Sequence, residues 1–169
     1  PINLRQATQY LPFLKDYIGG APETEQVPKI GINISGSAYV NGKEGQLLVI
    51  QGEAINNYPR ARSAITIKGI LLDKGGKTLL QQTVSCGNYM DAEMLSVLPF
   101  SCTEKSKNNQ FGALPFSCIE EAMNNQFGEG LINMNVASKA SIPFTIVFRN
   151  LPADIASINV EVVDSIPGE

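Results

Sequence analysis

The sequence predicts a mainly β protein: an immunoglobulin-like antiparallel β-sandwich with a short helical excursion between strands and an N-terminal helix. Six strand candidates follow one another at short intervals, each bounded by turn residues and most of them rich in β-branched side chains. Strands and helices do not alternate regularly, as a parallel sheet would require. The 169 residues, 43% hydrophobic and 17% charged, suit one globular domain with a substantial core.

Residues 1–28 are predicted to form a helix and linker ahead of the sandwich. Apolar side chains there fall near helical spacing, at Leu4, Ala7, Leu11, Leu14 and Ile18. Pro12 must kink or start this helix, and residues 19–28 (GGAPETEQVP) are typical of a linker. The sandwich domain is therefore expected over residues 29–169. Because the chain starts at Pro1 without a signal peptide, we expect a processed or truncated product whose anchoring segment lies upstream.

The first strands are predicted from alternating apolar residues. Ile30, Ile32 and Ile34 begin this alternation, which Ser35-Gly36-Ser37 interrupts. Residues 47–55 (LLVIQGEAI) follow after a glycine-containing turn.

The strongest hairpin signal joins residues 63–72 to residues 79–84. The connection Asp73-Lys74-Gly75-Gly76-Lys77 contains consecutive glycines, which supply the positive φ that a tight turn requires. Residues 142–148 and 155–163 form a last apolar strand pair. Helical material between Asp91 and Gly128 is expected to link two strands across one end of the sandwich.

Residues 98–129 contain a tandem duplication with a spacing of sixteen. The segment LPFSCTEKSKNNQFGA begins at Leu98, LPFSCIEEAMNNQFGE begins at Leu114, and eleven of sixteen positions are identical. Each copy carries Ser-x-x-Glu, a capping box that can start a helix, and a glycine that can close one.

The two copies differ in the side chains that a helix would bury. The second copy offers an apolar stripe, formed by Ile119, Ala122 and Met123. The first copy has polar side chains at the same positions, Thr103, Ser106 and Lys107. We therefore expect residues 98–113 to be a solvated insertion and residues 114–129 to be structural.

Composition argues against several functions. The net charge of −3 argues against nucleic-acid binding, and the absence of histidine removes the imidazole base, the usual triads and the commonest metal ligand. Three cysteines are too few for a four-thiolate zinc site. We predict no catalytic, cofactor-binding or metal-binding residues. The cysteines allow either one disulfide with a spare thiol or three reduced thiols, and Cys86 could pair with Cys102 or Cys118.

One candidate binding edge consists of Tyr58, Arg60 and Arg62, a cationic cluster with an aromatic neighbour that could bind an anion. The structural alternative is a solvated loop whose arginines discourage edge-to-edge strand pairing. The absence of tryptophan argues against a carbohydrate platform, although Tyr39, Tyr58 and Tyr89 keep one possible.

Several blocks, in order, resemble an uncharacterised bacterial family. They are VIQGEAINNYPRARSAITIKGILLDKGGK from Val49, CGNYMDAEMLSVLP from Cys86, IEEAMNNQFGEGLINMNV from Ile119 and SIPFTIVFRNLP from Ser141. In that family a domain of unknown function follows a zinc-ribbon finger-like segment and a single membrane-spanning helix. The family pattern contains one LPxxxIxxxxNNxFG segment, so the duplication is a departure from it.

The resemblance implies an immunoglobulin-like sandwich held on the extracytoplasmic, periplasmic side of a bacterial membrane by an upstream helix, and it implies no catalytic residue. We expect a non-catalytic interaction or scaffold domain whose partner is another protein, with membrane contact only through that helix. A sandwich that binds sugar or lipid is the alternative, and an enzyme is the least favoured class.

Overall fold

The structure is a computed structural model that describes residues 29–102 and 116–169. The predicted N-terminal helix and linker of residues 1–28 lie outside the described residues. The same holds for residues 103–115, which include the polar positions of the first repeat copy.

The described residues form six strands and a few short helical segments, which confirms the mainly β prediction. The strands are β1 (Ile30–Gly42), β2 (Gly45–Asn56), β3 (Arg62–Leu72), β4 (Thr78–Ser85), β5 (Ser141–Phe148) and β6 (Ser157–Pro167). The helices are α1 (Ala92–Val97) and α2 (Ile119–Met123), followed by a 3₁₀ turn at Glu129–Leu131.

The strands form two three-stranded antiparallel sheets, in the orders β1-β2-β5 and β4-β3-β6. The predicted pairing of the last two strands with each other is therefore wrong, because β5 pairs with β2 and β6 pairs with β3. Gly69 of β3 lies where the sheets face each other. A Cβ atom at this position would come within 3.1 Å of the Ile146 and Phe148 side chains of β5. The glycine therefore allows the two sheets to approach closely around a shared apolar core.

The predicted β3–β4 hairpin is present, and its turn is organised by Asp73. The Asp73 Oδ1 atom accepts hydrogen bonds from the backbone N–H groups of Gly75 and Lys77, both at 2.9 Å. Gly76 adopts a φ of 86°. The aspartate thus acts in turn formation, as its spacing from the glycines predicts.

The excursion between β4 and β5 covers a face of the first sheet, so its predicted position across one end of the sandwich is wrong. Thr145 lies between Phe144 and Ile146 on β5, so its side chain points away from the second sheet. Its Oγ1 accepts a hydrogen bond from the Met90 N–H at 3.2 Å, and Gln51 Nε2 donates to the Met90 carbonyl at 3.0 Å. The physical reason is that β2 and β5 carry apolar side chains on both faces, and the outer face needs its own cover.

The second repeat copy forms α2, and the predicted burial of Ile119, Ala122 and Met123 is confirmed. The capping box predicts Ser117 as the first cap of this helix, but the cap is Cys118, one residue later. Cys118 Sγ accepts a hydrogen bond from the Glu121 N–H, and Glu121 Oε1 accepts one from the Ser117 N–H.

The glycine at the end of this copy does not close the helix. Helix α2 is capped at Asn124, whereas Gly128, with φ 77° and ψ 165°, packs against Gly87.

The start of the first repeat copy is also structural, so the expectation that residues 98–113 are solvated throughout is wrong at Leu98 and Phe100. Both side chains are buried in the apolar core. The backbone N–H groups of Ile119 and Glu120 donate to the carbonyls of Pro99 and Phe100, both at 2.9 Å. The first copy therefore supplies the segment against which α2 begins.

Candidate interaction surface

The structure brings together two residues of the predicted binding edge. The Arg62 guanidinium carbon lies 4.2 Å from the centroid of the Tyr58 ring. Arg62 Nε donates to Ser165 Oγ at 3.0 Å, and one terminal nitrogen donates to the Ser165 carbonyl at 2.9 Å. The Arg60 side chain is exposed. Arg62 thus links the β2–β3 loop to β6. Because β3 is the central strand of its sheet, Arg62 does not lie on an edge strand, where it could discourage edge-to-edge pairing.

The cysteines form one disulfide, between Cys102 and Cys118, and leave a buried free thiol at Cys86. The predicted pairing of Cys86 with either partner is therefore wrong, whereas one disulfide with a spare thiol is confirmed. Cys86 directly follows β4, and its N–H donates to the Ile65 carbonyl at 3.0 Å. Because burial disfavours the charged thiolate, it raises the pKa of Cys86 far above its usual range.

The two bridged sulfurs lie beside the Glu121 carboxylate, and these three groups lie within 4.8 Å of one another. The sulfurs are bonded to each other and are not thiolates, which are the form that binds metal ions. The Glu121 carboxylate already accepts the Ser117 N–H at 2.9 Å. The two sulfurs therefore form the disulfide, and the Glu121 carboxylate accepts a hydrogen bond at the start of α2.

The most unusual surface feature is a short run of large apolar side chains, which we call the Leu131–Met134 loop. Leu131, Ile132 and Met134 are 58%, 42% and 41% exposed. Large apolar side chains that cluster on a surface often mark an interaction site.

Asn133, the fourth residue of this loop, is completely buried and anchors it. Its Oδ1 accepts the Ile65 N–H at 2.9 Å, and its Nδ2 donates to the carbonyls of Ile65 and Cys86, both at 3.0 Å. The Asn133 backbone also bonds to Ala64 and Phe127. The loop is thus tied to β3, to the end of β4 and to the second repeat copy, which fixes its shape.

The backbone of the loop is strained at an exposed residue. Leu131 adopts a φ of 63°, a left-handed conformation that costs a bulky residue roughly 1–2 kcal/mol. The leucine gains little burial within the domain in return. Strain held in place by a buried anchor is typical of functional segments.

The residue patterns did not identify this loop as a site. Its sequence, GLINMNV from Gly130, follows neither the helical nor the strand period. The available signal was the occurrence of three large apolar residues among glycine and asparagine, outside every predicted strand.

Two clefts flank the excursion. The first, of about 310 Å³, lies between β1 and the start of α1, and Tyr89, 52% exposed, stands at its rim. Its side chains Ser35 and Gln51 donate to carbonyls of the protein, and Asp91 caps α1.

The second cleft, of about 420 Å³, lies beside the β1–β2 turn. There Arg149 stacks on Phe100, with 4.2 Å between the guanidinium carbon and the ring centroid, and lies 3.7 Å from Glu44.

Within the described part of the chain, no helix has the length and apolar character needed to cross a membrane.

Comparisons with known proteins show the family. Neither the curated proteins nor the solved structures contain a significant match. A family described as "Protein of unknown function (DUF3426)" matches residues 31–162, which run from the second residue of β1 to the middle of β6. The chain therefore belongs to this family of unknown function.

Proposed function

We propose that this domain is a non-catalytic, extracytoplasmic interaction domain of a membrane-anchored bacterial protein, and that it binds another protein through the Leu131–Met134 loop. The observation that carries the proposal is the combination, in four residues, of three exposed apolar side chains with one fully buried anchor, Asn133. A surface that is already ordered before binding loses little conformational entropy when a partner docks.

A protein partner suits this loop better than a lipid surface. Loops and helices that bind bacterial membranes combine apolar side chains with lysine and arginine, which attract anionic headgroups. Residues 130–138 contain neither lysine nor arginine, and the residue directly before this stretch is Glu129. An apolar recess on another protein therefore fits the loop's chemistry.

The proposed extracytoplasmic location has two supports. Disulfides persist in oxidising compartments, and Cys102 and Cys118 are bridged. The resemblance to a domain that follows a zinc-ribbon segment and a membrane-spanning helix points to the same location.

We also propose that the two sheets have an immunoglobulin-like topology.

The experiment is cross-linking and mass spectrometry on bacterial membranes that contain the full-length protein. We expect the double variant Leu131→Ser/Met134→Ser to lose proteins that the native protein captures, because its anchor and backbone are unchanged while its apolar contact area is removed. Val163→Ser, at an exposed apolar residue of β6, is the matched control and should capture the native set.

The proposal would be overturned if the double variant captured the same proteins as the control. Binding of the isolated chain to vesicles of anionic lipid, lost in the double variant, would also overturn it in favour of a membrane surface. Thermal unfolding of each variant checks that the domain remains folded.

Sugar binding is the second candidate, and the exposed ring of Tyr89, beside a cleft whose lining includes Ser37 and Asp91, favours it. Sugars bind by stacking on an aromatic face with polar groups nearby. Calorimetric titration with neutral oligosaccharides should then detect binding that Tyr89→Ala removes. Absence of binding to the native chain would reject this candidate.

A further inference from the structure

We infer that the outer edge of β1 is a self-association surface, which pairs antiparallel with β1 of a second copy. The inference rests on the proposed function as an interaction domain, and it names a second copy of the chain as one partner. Its test measures assembly state and does not use the Leu131–Met134 loop, so either proposal can fail without the other.

Strand β1 is the edge strand of the first sheet, and all of its residues except the bulged Ser35 pair with β2. Among residues 29–102 and 116–169, no other strand pairs with it. An edge strand presents a row of backbone N–H and C=O groups, and another extended strand is the partner that matches them.

The other sheet edges carry features that discourage pairing. Strand β6 contains Glu161 and Asp164 and ends in Pro167. Strand β4 closes against β5 at its end, where the Gly87 N–H donates to the Pro143 carbonyl at 2.7 Å. Strand β1, in contrast, contains neither a charged residue nor a proline from Ile30 to Gly42.

A bulge divides β1 into two parts and selects the part that can pair. The register with β2 shifts between Ile34 and Gly36, and the Ser35 hydroxyl donates to the Gln51 carbonyl at 3.0 Å. After the bulge, the strand runs regularly from Gly36 to Gly42, with Tyr39 46% exposed at its centre. Within the described residues, this seven-residue stretch is the regular part of the unpaired edge, and it is the part that we assign to a second copy.

The sequence of this stretch, GSAYVNG, is complementary to itself in one antiparallel register. When Tyr39 faces Tyr39 of the second copy, Ala38 lies opposite Val40, Ser37 opposite Asn41, and Gly36 opposite Gly42. In this register an aromatic residue faces an aromatic residue, an apolar residue faces an apolar one, and a polar residue faces a polar one. Such cross-strand pairs stabilise a sheet. Centring the pairing on Ala38 instead would place Ser37 opposite Tyr39. The self-complementary register therefore favours a second copy over an unrelated strand.

Sedimentation velocity on the 169-residue chain across a wide concentration range tests the inference. We expect a concentration-dependent dimer. Tyr39→Lys should weaken it at least about tenfold, because two like charges then face each other at the centre of the pairing. Val163→Lys, which adds the same charge to an exposed position of β6, should leave the dimer unchanged.

A cysteine variant tests the register directly. Under mild oxidation Tyr39→Cys should form a disulfide-linked dimer, because directly opposed residues bring their Cβ atoms close together. The control variant Val163→Cys is about as exposed as Tyr39 but lies on β6.

A chain that stays monomeric at every concentration would overturn the inference. So would a dimer that withstands Tyr39→Lys, or one whose Tyr39→Cys variant cross-links no faster than the control. Thermal unfolding confirms that each variant is folded. If the chain is monomeric but the loop variant still loses its captured proteins, self-association fails and the proposed function stands.

Discussion

Cys102 and Cys118 occupy the same position in the two copies of the duplicated segment and are joined by a disulfide, with their Cα atoms 5.2 Å apart. The separation of sixteen residues equals the repeat spacing. Because the chain returns to nearly the same point after one repeat, the disulfide closes the base of the segment that the duplication adds.

Removal of one repeat should therefore leave the domain folded. Deleting residues 98–113 produces the same sequence as deleting residues 103–118, since LPFSC begins both copies. The buried positions of Leu98 and Phe100 are thus refilled, and the two ends to be joined are already close. We expect urea melts of the deletion variant to change the free energy of unfolding by less than about 1 kcal/mol. An unfolded deletion variant would contradict this prediction.

The apolar face of α2 should be essential for stability. Replacing Ile119 and Met123 together by serine removes two completely buried side chains and should cost several kcal/mol, since each such truncation costs about 2–5 kcal/mol. Glu120→Ser, at an exposed position of the same helix, is the control for urea melts. Equal midpoints for the double variant and the control would show that the helix does not contribute to the core.

Thiol titration should count one free group in the unfolded, non-reduced protein and three after reduction. In the folded protein Cys86 should react slowly, because it is buried and its raised pKa keeps it protonated. The folded state then holds this proton more tightly than the unfolded state. Stability should fall as the pH rises through the usual pKa range of a free thiol. Three free thiols before reduction would rule out the Cys102–Cys118 bridge.

Loss of the Asn133 side chain should destabilise the domain more than its size suggests. Asn133→Ala leaves the buried Ile65 N–H and the Cys86 carbonyl without this partner, at a cost of roughly 1–3 kcal/mol for each unsatisfied group. Asn33→Ala, at an exposed residue of β1, is the control, and thermal unfolding is the measurement. A thermal midpoint equal to that of the control would show that the Asn133 side chain does not stabilise the domain.

Trimming the chain to begin after Pro28 should leave the thermal midpoint nearly unchanged. The linker composition of residues 19–28 separates the preceding helical pattern from the sandwich domain. A loss of several degrees relative to the full chain would show that residues 1–28 pack on the sheets.

Features that depend on neighbouring residues can be predicted from the amino-acid sequence alone. Alternating apolar side chains predicted the strands, the glycines after Asp73 predicted the β3–β4 hairpin, and the apolar stripe at Ile119, Ala122 and Met123 predicted a buried helix. Each follows from a local period or a turn requirement, so a single stretch of chain contains the whole signal.

Features that join distant parts of the chain become visible only when the elements are packed together. They include the placement of the excursion over the outer face of the first sheet, the bridge between Cys102 and Cys118, and the burial of Leu98. The Leu131–Met134 loop belongs with them, because its shape depends on the bonds of Asn133 to Ile65 and Cys86. Such contacts are selected by the packing of elements far apart in sequence, which no local period records.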